Sequence, residues 1–330
     1  MAAYPKSQVR RRVCAALTLS LLSASLYAQS PGFPNRPLRY INPNAAGLAA
    51  DIVARAFAAR MSENLGQTVF VDNRPGAGST LGAMEGAKAA PDGYTMTQTS
   101  SPLFAVVPQL YTKLSFDPVK DFRSLIVLAS FQNVLVVNPS LPVRSVSELI
   151  ALARKEPKRL TYGSTGNGTT THLSGELFKQ LTGVEMVHVP YRSGANALTD
   201  LLSGQTQLMF SNAATVLPHI KTGGLRALAV TSNAREAALP DVPTMIETGL
   251  KDYQAVGWHS VSVPAATPQA VVDVLSAAAI KAVNDPAFRK TMVDNGFVVV
   301  GGTPEQMDRM RGEEIARWGP VVKSTGVKID

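Results

Sequence analysis

Past Pro37 the chain repeats short apolar runs of period two and longer runs of period near 3.6, which predicts alternating strands and helices. Leu38 to Asn42 reads as a strand and Asn44 to Leu48 as a small-residue turn. Asp51 to Asn64 follows as a helix with Ile52, Val53, Ala56, Phe57 and Met61 on one face, stopped by Gly66. Thr68 to Val71 is the next strand, and Ser79 is placed to cap a helix carrying Leu81, Met84 and Ala87. Tyr94 to Thr99 is a third strand, after which Ser100-Ser101-Pro102 opens a turn and helix. Repeated β-α units of this kind predict an α/β sheet with its ligand edge at the carboxyl ends of the strands.

The next stretch is less regular. Ser124 to Ala129 and Val134 to Val137 are apolar β-type runs with only Ser130-Phe-Gln-Asn133 between them, too little for a helix, so the chain is expected to leave one domain for another here. Ser145 and Glu148 form a capping box before a helix with Leu149, Ile150, Leu152 and Ala153. Strands are expected at Val184 to Val189, Leu208 to Phe210 and Leu225 to Thr231, with helices at Ala195 to Ser203 and Ala213 to Thr222. Tyr253 to Pro264 can carry the chain back. Thr267-Pro268 starts a terminal helix, Thr303 with Gln306 marks a second capping box, and the tail is expected to complete the first domain. The order predicts an α/β protein of two domains, residues 29–132 plus 257–330 and residues 133–256, joined by two crossing strands around a central cleft.

One loop stands out chemically. Tyr162-Gly-Ser-Thr-Gly-Asn-Gly-Thr-Thr-Thr-His172 puts glycines at 163, 166 and 168 between a strand and a helix carrying Leu173, Leu177, Phe178 and Leu181. Such a turn can aim backbone N–H groups at one point, beside the positive end of a helix dipole and the hydroxyls of Ser164 and Thr169, which suits a carboxylate or phosphate. A ligand-free glycine turn fits the local pattern equally well.

The first residues change what counts as the folded chain. Lys6 and Arg10 to Arg12 precede an apolar stretch, Val13 to Leu26, too short to span a bilayer, so residues 1–28 are expected to be a secretory signal cleaved near Ala28, which places the chain in the periplasm. Its removal takes four cations and no anions, lowering the formal charge from +8 to +4, and takes Cys14, the single cysteine. Disulfides and cysteine metal sites are thereby excluded, and with no basic run interleaved with aromatics after residue 28, nucleic acid is not an expected partner.

Several motifs together resemble a known family. Asn44-Ala-Ala-Gly47, Asp51-Ile-Val-Ala-Arg55, Asp72-Asn-Arg-Pro-Gly-Ala-Gly78, Ala90-Pro-Asp-Gly-Tyr-Thr95, Tyr162-Gly-Ser-Thr-Gly-Asn-Gly168, Val189-Pro-Tyr-Arg-Ser-Gly194, Asp241-Val-Pro-Thr244, and Trp258 with Pro264-Ala-Ala-Thr-Pro268 are similar to the tripartite tricarboxylate transporter substrate-binding proteins, the Bug family. The resemblance runs from about residue 36 to the C-terminus. It implies a type II periplasmic binding protein with no catalytic role and no cofactor, expected to be a monomer, delivering a small ligand to a membrane permease or a sensor kinase domain. It further implies that a carboxylate is held by the loop of Asn44, Ala45, Ala46, Gly47 and Leu48 and by the loop of Ser164, Thr165, Gly166, Asn167, Gly168 and Thr169. Ser100, Ser101, Tyr191, Arg192 and Asn212 complete the expected site. Leu48 stands where the family carries a glycine pair, which favours an aromatic or otherwise apolar ligand body, with a dicarboxylate as the other candidate.

Other readings lack parts. A serine hydrolase using Ser164 is the principal alternative, but position 162 is Tyr where a nucleophile elbow needs glycine. A P-loop would need a lysine after Gly168. The four histidines are scattered, and His172 with Glu176 at i, i+4 reads as a helix-face hydrogen bond. Arg74 reads as a salt-bridged turn residue. Tyr191 is expected as a pocket wall, and Arg192 either pairs with a ligand carboxylate or stays solvated.

Overall fold

The computed structural model describes residues 32–47, 49–191, 193–326 and 328. The expected signal segment, Leu48 and Arg192 therefore lie outside the described residues. The first elements are β1 (Leu38–Asn42), α1 (Ala49–Leu65), β2 (Val69–Asn73), α2 (Thr80–Ala87), β3 (Thr95–Ser100), α3 (Ser101–Ala105) and α4 (Val107–Leu110). β4 (Phe122–Val137) leads to α5 (Val146–Lys155), β5 (Thr161–Ser164), α6 (Thr170–Thr182), β6 (Val187–Pro190), α7 (Gly194–Leu202), β7 (Leu208–Asn212), α8 (Ala213–Lys221) and β8 (Arg226–Val230). β9 (Val256–Pro264), α9 (Gln269–Asn284), α10 (Pro286–Asp294), β10 (Val298–Gly301) and α11 (Pro304–Thr325) complete the chain.

β4 organises the molecule. The two apolar runs on either side of the expected domain crossing form one 16-residue strand, with Ser130 to Asn133 near its middle. Up to Gln132 it pairs antiparallel with β9; from Asn133 it pairs antiparallel with β7 and, from Val134, with β8. The sheet runs β2-β1-β3-β9-β4-β7-β5-β6. On each side a parallel set, β2-β1-β3 or β7-β5-β6, abuts an antiparallel crossing strand. The link stays extended because its backbone groups find partners on both sides, so neither half offers a reason to turn. β9 makes the return crossing, starting beside Thr231, whose carbonyl accepts the Ala255 N–H.

Each half has its own core. Leu38, Tyr40, Phe57, Met61 and Phe288 are among the fully enclosed side chains of the first, and Tyr162, Phe178, Phe210 and Tyr253 of the second. Each such side chain contributes on the order of 1.5–3 kcal/mol on burial. α11 reaches both cores. Its Met307 packs with Phe104, Val127 and Trp258, whereas Trp318, Val321 and Val322 join the second core beside Leu173 and Leu177. Periodicity marks an apolar face but not the element that covers it. Leu181, expected in the buried stripe of α6, is 37% exposed at that helix's end.

The capping chemistry divides. Ser145 accepts the Glu148 N–H at 3.1 Å, and Thr303 and Gln306 form a reciprocal box. Ser79 does not cap α2: at φ 75 its hydroxyl is turned toward Asn44 Oδ1, 3.3 Å away.

Candidate ligand-binding site

The carboxyl ends of β1, β3 and β5 converge on a cavity of about 220 Å³ between the halves. Its walls are Asn44, Ser79 and Ser100 from the first half, Asn167 to Thr170 from the second, an apolar side formed by Leu103, Val106, Leu110 and Tyr111, and Phe131 and His259 from the crossing strands. The structure thus brings five predicted residues, Asn44, Ser100, Asn167, Gly168 and Thr169, to one cleft.

The glycine loop is built as a cradle, but most of its donors hold its own shape. Gly166 and Gly168 take φ of 117 and 77, open only to glycine without strain. The Thr165 amide donates to Thr171 Oγ1 (2.9 Å), the Gly166 amide to Ser164 Oγ (3.1 Å) and the Gly168 amide to His172 Nδ1 (3.1 Å). Thr169 caps α6, accepting from the His172 amide, while its hydroxyl donates to the Gly166 carbonyl at 2.7 Å. Among the described residues the amides of Asn167 and Thr170 have no such partner, and they stand at the head of a 13-residue helix with no acidic residue in its first turn. An anion placed there gains two N–H groups and the helix dipole.

Ser164 and Thr169 therefore do not offer the hydroxyls expected of them. Ser164 is fully buried, its Oγ 2.6 Å from His188 Nε2. This contact resembles a nucleophile–base pair, yet no carboxylate hydrogen-bonds His188 among the described residues and the hydroxyl has no access to a substrate, so the hydrolase reading falls. The His188 ring stacks between Tyr162 and His172, with centroids 4.9 and 4.1 Å away. Burial, followed by repulsion from His172, lowers the His188 pKa to about 4; burial also lowers that of His172. His172 and Glu176 stand 4.0 Å apart, beyond the hydrogen bond expected from their spacing; Glu176 instead accepts from Tyr162 and Lys179.

The first loop is held differently. Asp51, buried in the first turn of α1, accepts from the Gly47 amide (2.9 Å), Arg55 Nε (2.8 Å) and Asn73 Nδ2 (2.9 Å). Burial pushes its carboxyl up, but Arg55, Gly47 and Asn73 outweigh this and hold it at about 2. The Asn44 amide donates to Asn42 Oδ1 at 3.1 Å. Ala45, Ala46 and Gly47 are exposed and do not line the cavity. Arg74 pairs with Asp72 at 3.1 Å, the salt-bridged turn expected of it.

Three other expected residues lie elsewhere. Ser101 is buried, its Oγ accepting the Trp258 amide at 3.3 Å. Tyr191 packs toward Gly163 and donates to Asp200 at 2.6 Å, so neither its face nor its hydroxyl lines the cavity. Asn212 caps α8, accepting from the Ala214 amide at 3.0 Å. Conversely, the sequence does not mark Phe131 and His259 as cavity residues, because what places them together is pairing between strands more than a hundred residues apart. The period-two alternation of β9 was the one available signal.

A family model described as "Tripartite tricarboxylate transporter family receptor" matches residues 53–327. A Pseudomonas sp. (strain P51) protein, "UPF0065 protein in tcbD-tcbE intergenic region", is 35% identical over 95% of this chain and 94% of its own. The structure titled "R. palustris Rpa4515 with adipate" is 37% identical, covers 90% of this chain and 99% of its own, and superposes with a TM-score of 0.80. "MatC (Rpa3494) from Rhodopseudomonas palustris with bound malate" is 31% identical, covers 88% of this chain and 100% of its own, with a TM-score of 0.77.

Proposed function

The chain belongs to the tripartite tricarboxylate transporter receptor family, whose members are non-enzymatic periplasmic solute-binding proteins, and we propose that it captures a small carboxylate in the cleft between its halves and delivers it to a transporter of that type. The observation that carries this reading is that Asn167 and Thr170 line the cavity at the head of α6 with amides that have no hydrogen-bond partner among the described residues. A carboxylate is costly to take out of water, and charge-assisted N–H bonds at a helix N-terminus offset that cost. The relatives bound to adipate and malate support a carboxylate ligand for this chain too.

The other cavity walls support a ligand with an apolar or aromatic body. Leu103, Val106 and Leu110 face it from the first half and Phe131 from the crossing strand. A ligand touching both halves binds their closed arrangement more tightly than any other, and the transporter reads that population shift. In this reading the domains are residues 29–132 plus 257–330 and 133–256, supported by the change of partners along β4 between Gln132 and Asn133. The protein acts as a monomer in the periplasm after its signal is removed near Ala28.

A thermal-shift screen of mono-, di- and aromatic carboxylates tests this. Ligand at a hundred times its Kd should add about 2.7 kcal/mol of stability, and Gly168→Val should abolish the gain. No response to any carboxylate at millimolar concentration would overturn the reading.

A further inference from the structure

The crossing strands form the floor of the cavity, and there β3 meets β9 with Ser100 directly opposite His259. Residues paired in this way share a face of the sheet, with Cβ atoms about 4.5–5.5 Å apart, and both line the cavity. The neighbouring pair, Thr99 and Ser260, faces the other way and is closed on itself. Their hydroxyl oxygens lie 2.7 Å apart, and Thr99 Oγ1 also lies 2.9 Å from Ser262 Oγ. Ser100 and His259 differ. Ser100 stands at the N-cap of α3 without its side chain capping it, and among the described residues neither side chain has a hydrogen-bond partner.

The imidazole is nonetheless held in place. Phe131 of β4 stacks on the His259 ring at 5.0 Å and 30°, and Phe297 lies 6.1 Å from it. His259 is only 9% exposed, and Nδ1 is its enclosed nitrogen. A proton on Nδ1 would bury an N–H with no acceptor, so the neutral ring carries its proton on Nε2, the nitrogen that is not enclosed. Burial, which lowers the pKa of the ring to about 4, keeps it neutral at ordinary pH. The floor thus offers an N–H and a hydroxyl side by side. A wholly apolar ligand body seated there strips water from both and leaves them unpaired, whereas an acceptor oxygen at that point satisfies both.

We propose that Ser100 and His259 form a second polar subsite of the cleft, and that the ligand is a carboxylate whose apolar body carries a further acceptor oxygen, of a hydroxyl or a second carboxylate, seated on the His259 Nε2–H and the Ser100 hydroxyl. The proposal rests on the reading of the cleft as a carboxylate site. Within that site these two residues determine which carboxylate is preferred.

Calorimetry at pH 7.5 tests it with two series: hexanoate, 6-hydroxyhexanoate and adipate, and benzoate, 4-hydroxybenzoate and terephthalate. In at least one series an oxygenated member should bind about tenfold more tightly than its parent acid, a difference of about 1.4 kcal/mol. The member that gains identifies the oxygen as hydroxyl or carboxylate. His259→Phe keeps a ring against Phe131 without the donor, and Ser100→Ala removes only the hydroxyl. Either change should cost the oxygenated ligand several-fold more affinity than it costs the parent; if His259→Phe fails to fold, Ser100→Ala decides. No oxygenated member binding more tightly than its parent, or a preference that survives both substitutions, would overturn the proposal while leaving the carboxylate reading intact. Failure of all six acids to bind would overturn both.

Discussion

The two loops that head α1 and α6 solve one problem in opposite ways. Each follows a parallel strand and each has a helix N-terminus behind it. In the first, the helix supplies its own anion: Asp51 sits in the first turn of α1, bonded to Gly47, Arg55 and Asn73. In the second, the first turn of α6 holds only neutral groups, and hydroxyls and imidazoles set the loop from behind. The difference teaches that a helix dipole is available to a ligand only where the protein has not already neutralised it. It also gives the loops different supports, an ion pair with a carboxyl near 2 and a pair of stacked neutral histidines.

The largest predicted effect breaks the second loop directly. Gly168 has φ 77, and a Cβ there would lie 2.4 Å from Leu110 Cδ1 across the cleft. Gly168→Val should cost about a hundredfold or more in carboxylate affinity by calorimetry, roughly 2.7 kcal/mol, with the circular dichroism spectrum retained. Unchanged affinity would remove this loop from the site. Next, His172→Phe deletes the acceptor of the Gly168 amide and leaves that buried N–H unpaired, which should lower stability by about 1–3 kcal/mol in urea unfolding and weaken binding. A stable variant of unaltered affinity would show that the imidazole does not set the loop.

A smaller effect sharpens the contrast. Asp51→Asn removes the anion from the head of α1 while keeping an acceptor for Gly47. The ratio of adipate to hexanoate affinity should rise by about threefold, less than 1 kcal/mol; an unchanged ratio would mean that Asp51 does not repel a second carboxylate. The smallest effect is on pH dependence. His188 and His172 bind a proton more weakly in the folded than in the unfolded chain, so their contribution is complete above about 6.5 and declines as the pH falls toward 4. The melting temperature should drop by a few degrees between pH 7 and 4.5. His188→Gln should reduce that slope, the remainder coming from buried His172 and His259, and Asp51→Asn should leave it unaltered, because Asp51 titrates below the window. The reverse pattern would exchange the roles assigned to the two loops.

What could be read from the chain follows the range of the interactions involved. The glycine loop, the strand-helix alternation and the Thr303 box depend on neighbours within a few residues and take the expected form; the Ser145 cap forms too, but Glu148 reaches back to the Arg144 amide and not to that of Ser145. The local sequence puts Ser164 and Thr169 in the loop but does not set their hydroxyls, whose direction depends on His188 and His172, further along the chain. The sequence around Tyr191 suggests a pocket wall and does not reveal its partner Asp200, nine residues on. The floor of the cleft was not legible. Phe131 sits in what looked like a link between two strands, and His259 acquires its meaning only from the face of β9 that it shares with the cavity.

The central claim is that a ligand carboxylate sits on the Asn167 and Thr170 amides. Titrating the ¹⁵N-labelled protein with hexanoate and following its amide resonances tests this most directly. The account predicts that the Asn167 and Thr170 N–H signals move downfield in proportion to occupancy, while the Gly47 and Gly168 amides, already bonded to Asp51 and His172, move little. Saturable hexanoate binding that leaves the Asn167 and Thr170 signals in place would contradict it.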